Sequence, residues 1–121
     1  MKPVYFLLTA CLLLGSTSIM AKAQTTGSPA ELQRMAEDYY RWRNEQFPTA
    51  SSNEGLHTWD DRLADYAEAA INARRTRVKD LLARVQAMKT DAWAKDDRID
   101  WVLFRAQLER TAFFDRVMNF P

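Results

Sequence analysis

Apolar positions recur at helical spacing along most of this chain, and the recurrence breaks once. Leu32, Met35, Ala36, Tyr39, Trp42 and Phe47 follow one another at roughly the interval of a helix face. Ile71, Val78, Leu81, Leu82, Val85 and Met88 repeat the pattern, and the stretch from Ile99 to Val117 repeats it again. Between the first two series, Phe47 to Asp65 is polar and turn-rich. The pattern predicts an all-α chain: three long helices in a bundle-like arrangement, with one irregular loop at about 48–64.

Local signals place the ends. Ser28-Pro29-Ala30-Glu31 combines a capping hydroxyl, a proline suited to the first helical position and a glutamate that completes a capping box. Pro48 ends that helix, because the residue before a proline is pushed out of the α region. Asp65-Tyr66-Ala67-Glu68 reads as a second capping box, so the second helix should begin near Asp65. Arg74, Arg75, Arg77, Lys79 and Arg84 fill much of the rest of that helix and read as a solvated face. Thr90 to Asp97 reads as a turn with a short helical piece around Trp93. The third helix should run from about Asp96 to Met118.

That last helix is apolar on two sides. Ile99, Val102, Leu103, Ala106, Phe113, Phe114 and Val117 form a broad stripe; Trp101, Phe104 and Leu108 lie nearly opposite. A helix apolar on two sides is normally buried on two sides. Two preceding helices cover one. The expectation is that a helical partner, or a missing C-terminal part of the same protein, covers Trp101, Phe104 and Leu108.

The N-terminus changes the picture of where the fold starts. Lys2 precedes an apolar run from Val4 to Leu14, and Ala21-Lys22-Ala23 is a small-x-small cleavage site with Gln24 next. This is the pattern of a secretory signal peptide, cut between Ala23 and Gln24. The run is shorter than the roughly 20 residues a membrane span needs. The division is therefore 1–23 signal peptide, 24–29 polar leader and 30–121 helical portion. The protein is expected to be exported, periplasmic or secreted, with no membrane span after cleavage. Leu8-Thr9-Ala10-Cys11 offers an alternative, a lipid anchor through Cys11, although the apolar run continues past it.

Charge excludes one class. The chain carries a formal +1, and losing Lys2 and Lys22 with the signal peptide takes this to −1. No basic field argues for nucleic acid.

Candidate chemistry is confined to the loop. Gly55-Leu56-His57-Thr58-Trp59-Asp60-Asp61-Arg62-Leu63 holds the single histidine beside an acid–acid–arginine cluster. His57 and Asp60 can share a proton or a metal, and Asp61 can pair with Arg62. A metal centre needs three or four converging ligands, and a nucleophilic dyad needs a second signal that one histidine does not supply. The readings left open are a hydrogen-bonded loop that fixes the angle between helices, a wall of a substrate pocket through His57, Asp60, Asp61 and Arg62, and direct catalysis by His57.

Phe47-Pro48-Thr49-Ala50-Ser51, then Gly55-Leu56-His57, then Trp59-Asp60-Asp61-Arg62-Leu63-Ala64-Asp65, resembles the N-terminal signature of a bacterial family known as domain of unknown function family 885. An arginine-rich helix like Ala73 to Met88 follows in that family. Segments like Asp97-Arg98-Ile99-Asp100 and Gln107-Leu108-Glu109 come after it. Trp59 stands where tyrosine is usual. The resemblance implies a larger, mostly helical, exported or lipid-anchored protein. Its later part would carry a His-Glu-x-x-His-like zinc signature, as in zinc-dependent peptidases acting on peptides. No such motif occurs in this chain, so no catalytic residue and no metal ligand carry over. Zinc is implied for the full-length protein only.

The expectation is thus an N-terminal scaffold segment of an exported, zinc-dependent, peptidase-like protein: a fragment of a larger helical fold, with no complete active site and no activity of its own. The alternative is a small secreted helical binding or interaction module, complete in itself and without enzymatic activity.

Overall fold

Ser28 and Pro29 start the first helix as their chemistry requires. The Ser28 hydroxyl accepts the Glu31 backbone N–H at 3.2 Å, and Pro29, with no N–H to satisfy, begins α1, Pro29–Gln46. The Glu31 carboxylate does not close the reciprocal half of the box; it lies 3.9 Å from Arg84 on another helix. These details come from a computed structural model, which describes residues 27–117. The expected signal peptide, its Ala23–Gln24 cleavage site and Cys11 lie outside the described residues.

The chain is all-α, with no strand among the described residues. After α1 come α2, Pro48–Asn53; a 3-10 turn at His57–Trp59; α3, Glu68–Gln86; and α4, Lys95–Val117. Three helices are long, as the periodicity predicts. No described helix is long and apolar enough to cross a membrane.

Two boundaries differ from expectation for physical reasons. The stretch expected to be irregular at 48–64 contains α2. Pro48 both stops α1 and occupies the first position of the next helix, where a proline is at home. The second long helix starts at Glu68 rather than Asp65. The Asp65 carboxylate accepts the Ala67 N–H two residues on, at 2.8 Å, which folds Asp65 into a turn instead of a helix cap.

The core lies where α1, α3 and α4 meet. Leu32, Met35 and Tyr39 enter it from α1, Val78 and Val85 from α3, Met88 just beyond α3, and Phe104 and Leu108 from α4. Burying a side chain such as Leu108, which is fully enclosed, stabilises by about 2 kcal/mol. Tyr39 is the hub. Its ring meets Phe104 edge-on at 5.6 Å, and its hydroxyl reaches Thr111 Oγ1 at 3.2 Å. Thr111 in turn donates to the Gln107 carbonyl. Trp101 is half-buried and donates its ring N–H to the Val85 carbonyl at 2.8 Å, tying α4 to the last turn of α3. Gly27 closes the other end, because a Cβ there would stand 2.5 Å from Met88 Cγ.

The assignment of faces on α4 is the main correction. Phe104 and Leu108 are in the core, and Trp101 packs against it; these three do not await a partner. The side left uncovered is the broad stripe: Ile99, Val102, Leu103, Phe113, Phe114 and Val117 are all exposed. The most extensive helix pairing is α3 with α4; on the narrow stripe the Trp101 N–H finds the Val85 carbonyl of α3, and the Thr111 hydroxyl meets Tyr39 of α1.

The arginine-rich side of α3 is also not uniformly solvated. Arg77 is exposed and lies over the Trp42 ring at 4.6 Å. Arg74, by contrast, is only 9% exposed. Arg75 is half-buried and donates to the Asp115 carbonyl.

Candidate functional site

The loop between α2 and α3 is built from backbone geometry first. Gly55 has φ of +85°, the left-handed region that side chains resist. There it ends α2 with two bonds, Gly55 N–H to Ser52 O at 2.9 Å and Leu56 N–H to Ser51 O at 3.0 Å. That pairing is a Schellman motif, which satisfies the carbonyls a helix end leaves free. Ser51 is buried and donates its hydroxyl to the Leu56 carbonyl at 3.2 Å. The chain then enters the 3-10 turn that carries His57.

Asp60 organises the side chains. One carboxylate oxygen accepts the Ser52 hydroxyl, and the other lies 2.8 Å from His57 Nδ1. Ser52 is also 3.0 Å from the Pro48 carbonyl. Its single proton serves one acceptor at a time, and the charged carboxylate is the stronger. The Ser52 hydrogen bond, and after it the one from His57, hold the Asp60 carboxyl below its ordinary range. With Nδ1 donating to Asp60, the neutral imidazole leaves Nε2 as its acceptor.

The order of these groups decides their chemistry. A nucleophilic triad needs the histidine between the serine and the acid, so that the imidazole takes the hydroxyl proton. Here the acid stands in the middle, and Ser52 donates to Asp60 rather than to His57. The hydroxyl is held, not activated. The cluster works as a clasp that joins α2 to the 3-10 turn.

The expected site residues divide into two groups. His57 and Asp60 pair with each other. Asp61 and Arg62 face elsewhere: Arg62 Nε is 3.5 Å from Asp61, and its Nη1 is 3.4 Å from Glu45 in the last turn of α1. Arg43 and Glu54, 3.5 Å apart, add a second tie between α1 and the loop. All these pairs are at or near the surface, where an ion pair is worth about 0–1 kcal/mol. Together they orient the loop on α1. Zinc does not fit them. Among the described residues no group of three His, Cys, Asp or Glu stands close enough to hold a metal ion, and His57 and Asp60 are already engaged.

A second place was missed from sequence. Trp42, Phe47, Tyr66, Ile71, Arg74 and Asp115 are among the residues that line a pocket of about 310 Å³. Arg74 lies 5.4 Å from the Phe47 ring centre and 6.0 Å from that of Tyr66. It donates to the Asp65 carbonyl at 2.7 Å, which pins the segment entering α3. A signal for it was present: Arg74 falls in register between Ile71 and Val78, on the apolar side of α3 rather than beyond it. Ser52 carried no such signal, since only the turn at Gly55 brings it to Asp60.

The fold and the loop thus define a small helical bundle with a clasped surface loop and a charged pocket beside it. No family model matches the chain, and neither the curated proteins nor the solved structures contain one similar to it. The likeness to domain of unknown function family 885 rests on the order of the loop residues, the arginine-rich helix and the segments 97–100 and 107–109 in the sequence alone.

Proposed function

We propose that this chain is a scaffold segment of an exported, zinc-peptidase-like protein, and that it seats further helical polypeptide on the outer face of α4. The observation that carries the scaffold reading is that face. Ile99, Val102 and Leu103, and then Phe113, Phe114 and Val117, stand exposed along one side of one helix in two clusters with Arg110 between them; scattered apolar residues would be ordinary, but clusters on one face mark a contact surface. Tyr40 extends it, because Tyr40, Leu103 and Phe104 line a shallow groove between α1 and α4. Export is supported by the signal-peptide pattern at 1–23, and the peptidase-like setting by the family resemblance.

In this reading the clasped loop is structural. Ser52, His57 and Asp60 hold α2 against the 3-10 turn, and Arg62 and Arg43 hold that unit on α1. Peptide hydrolysis, and the zinc it would use, belong to the full-length protein.

The intact mass of the protein as its host produces it tests this directly. The expected result is a mass several times that of this chain, with no peptide hydrolysis by residues 24–121 alone. A mass matching residues 24–121 overturns the scaffold reading in favour of a self-contained secreted module. Hydrolysis by that segment, lost on His57→Ala, overturns the structural reading of the loop.

A further inference from the structure

We infer that the pocket at Arg74 is a binding site for a small organic carboxylate with an apolar or aromatic body. Arg74 is 9% exposed, yet among the described residues no carboxylate lies within 4.0 Å of its guanidinium. Its hydrogen bond is to one neutral acceptor, the Asp65 carbonyl at 2.7 Å. A guanidinium offers five N–H donors and does not lose its proton in a protein. It therefore cannot escape the cost of burial by becoming neutral, as a lysine can. Buried charges are normally paired, and this one is short of an anion.

The walls define the rest of the ligand. Phe47 and Tyr66 both bring aromatic rings to within about 6 Å of the guanidinium, and Ile71 adds an aliphatic surface. The volume of about 310 Å³ sits at the lower end of the range for small-molecule sites, roughly 300–1,000 Å³. A planar carboxylate matches the guanidinium fork with two parallel hydrogen bonds, while an apolar body packs against the Phe47, Tyr66 and Ile71 lining. The pocket lining carries two guanidiniums, Arg43 and Arg74, against one carboxylate, Asp115; one added negative charge balances it, so a monocarboxylate fits better than a dicarboxylate.

The test is titration of the full chain with phenylacetate and, separately, with phenylacetamide, which has the same body without the charge. Heat of binding and Trp42 fluorescence are the readouts. Phenylacetate should bind saturably and the amide at least about tenfold more weakly, the difference expected of a charge-assisted hydrogen bond. Arg74→Met should remove the preference. Because that variant also releases the Asp65 carbonyl, Ile71→Trp provides a second check: it fills the pocket while keeping the Arg74 charge, and should block phenylacetate while the helical circular dichroism stays unchanged. Equal binding of acid and amide, no saturable binding of either at millimolar concentration, or undiminished binding to a folded Ile71→Trp chain would each overturn the inference.

Discussion

Helix α4 has two apolar sides, and they differ in what else they carry. The inner side, Phe104 and Leu108 with Trp101 and Thr111, mixes apolar area with two polar groups, and both find partners: Trp101 on Val85 O and Thr111 on the Tyr39 hydroxyl. The outer side, from Ile99 to Val117, has more apolar residues and one charged group among them, Arg110, whose partner Gln107 is on the same helix, and it stays exposed. Counting hydrophobic residues favours the outer side. Hydrogen bonds decide otherwise, because an indole N–H fits the dry interior only where a carbonyl awaits it, and the last turn of α3 offers one. Apolar area says that a face is to be covered; the polar groups on it say by what.

That contrast can be broken in several ways. Phe104→Ala should lower unfolding free energy by about 3–5 kcal/mol, whereas Phe113→Ala on the outer side should cost less than about 1 kcal/mol; urea denaturation read by circular dichroism measures both. Away from α4, Gly55→Ala should cost about 1–2 kcal/mol, because the added Cβ meets open space and only the left-handed backbone resists it. Similar stability of the alanine variant would mean that the loop does not need this turn. Trp101→Phe removes the N–H together with part of the ring that packs on the core, so a loss of about 1–2 kcal/mol is expected. The Val85 carbonyl still accepts the Met88 N–H, which is why the loss is not larger.

The smallest expected effect is in pH. Asp60 has a lower pKa folded than unfolded, so at acid pH the unfolded loop binds more protons and stability rises with pH. The contribution of the clasp is present above the ordinary value of 3.8 and is lost as pH falls through the lower folded value. The protection factors of the Gly55 and Leu56 amides, after division by the intrinsic exchange rate at each pH, should fall over that interval, and Asp60→Asn should flatten their pH profile. A flat profile in the unmodified chain would show that the clasp adds nothing to loop order.

Much of the fold was legible from local chemistry. Ser28 and Pro29 announced α1, and the spacing of Val78, Val85 and Met88 announced the buried side of α3. What was not legible depended on which surfaces meet. Pro48 reads as a stop, but only the observed backbone shows that it is also a start. The acid at Asp65 suits a helix cap or a turn equally, and the Ala67 N–H decided it. Arg74 was read by its charge, as a solvated residue, although its register with Ile71 and Val78 already placed it inward. In the loop, His57 and Asp60 were singled out correctly as partners. Their separation from Asp61 and Arg62 follows from Glu45, a residue of α1 that only the tertiary fold brings near.

The most direct test of this account is a paired measurement on α4 by urea denaturation of Leu108→Ala and Leu103→Ala. The two remove the same atoms from one helix at positions 0% and 62% exposed. The account predicts a loss of about 2–5 kcal/mol at position 108 and less than about 1 kcal/mol at position 103. Equal losses, or the larger loss at 103, would mean that the outer stripe faces the core and would contradict both the fold assignment and the docking surface derived from it.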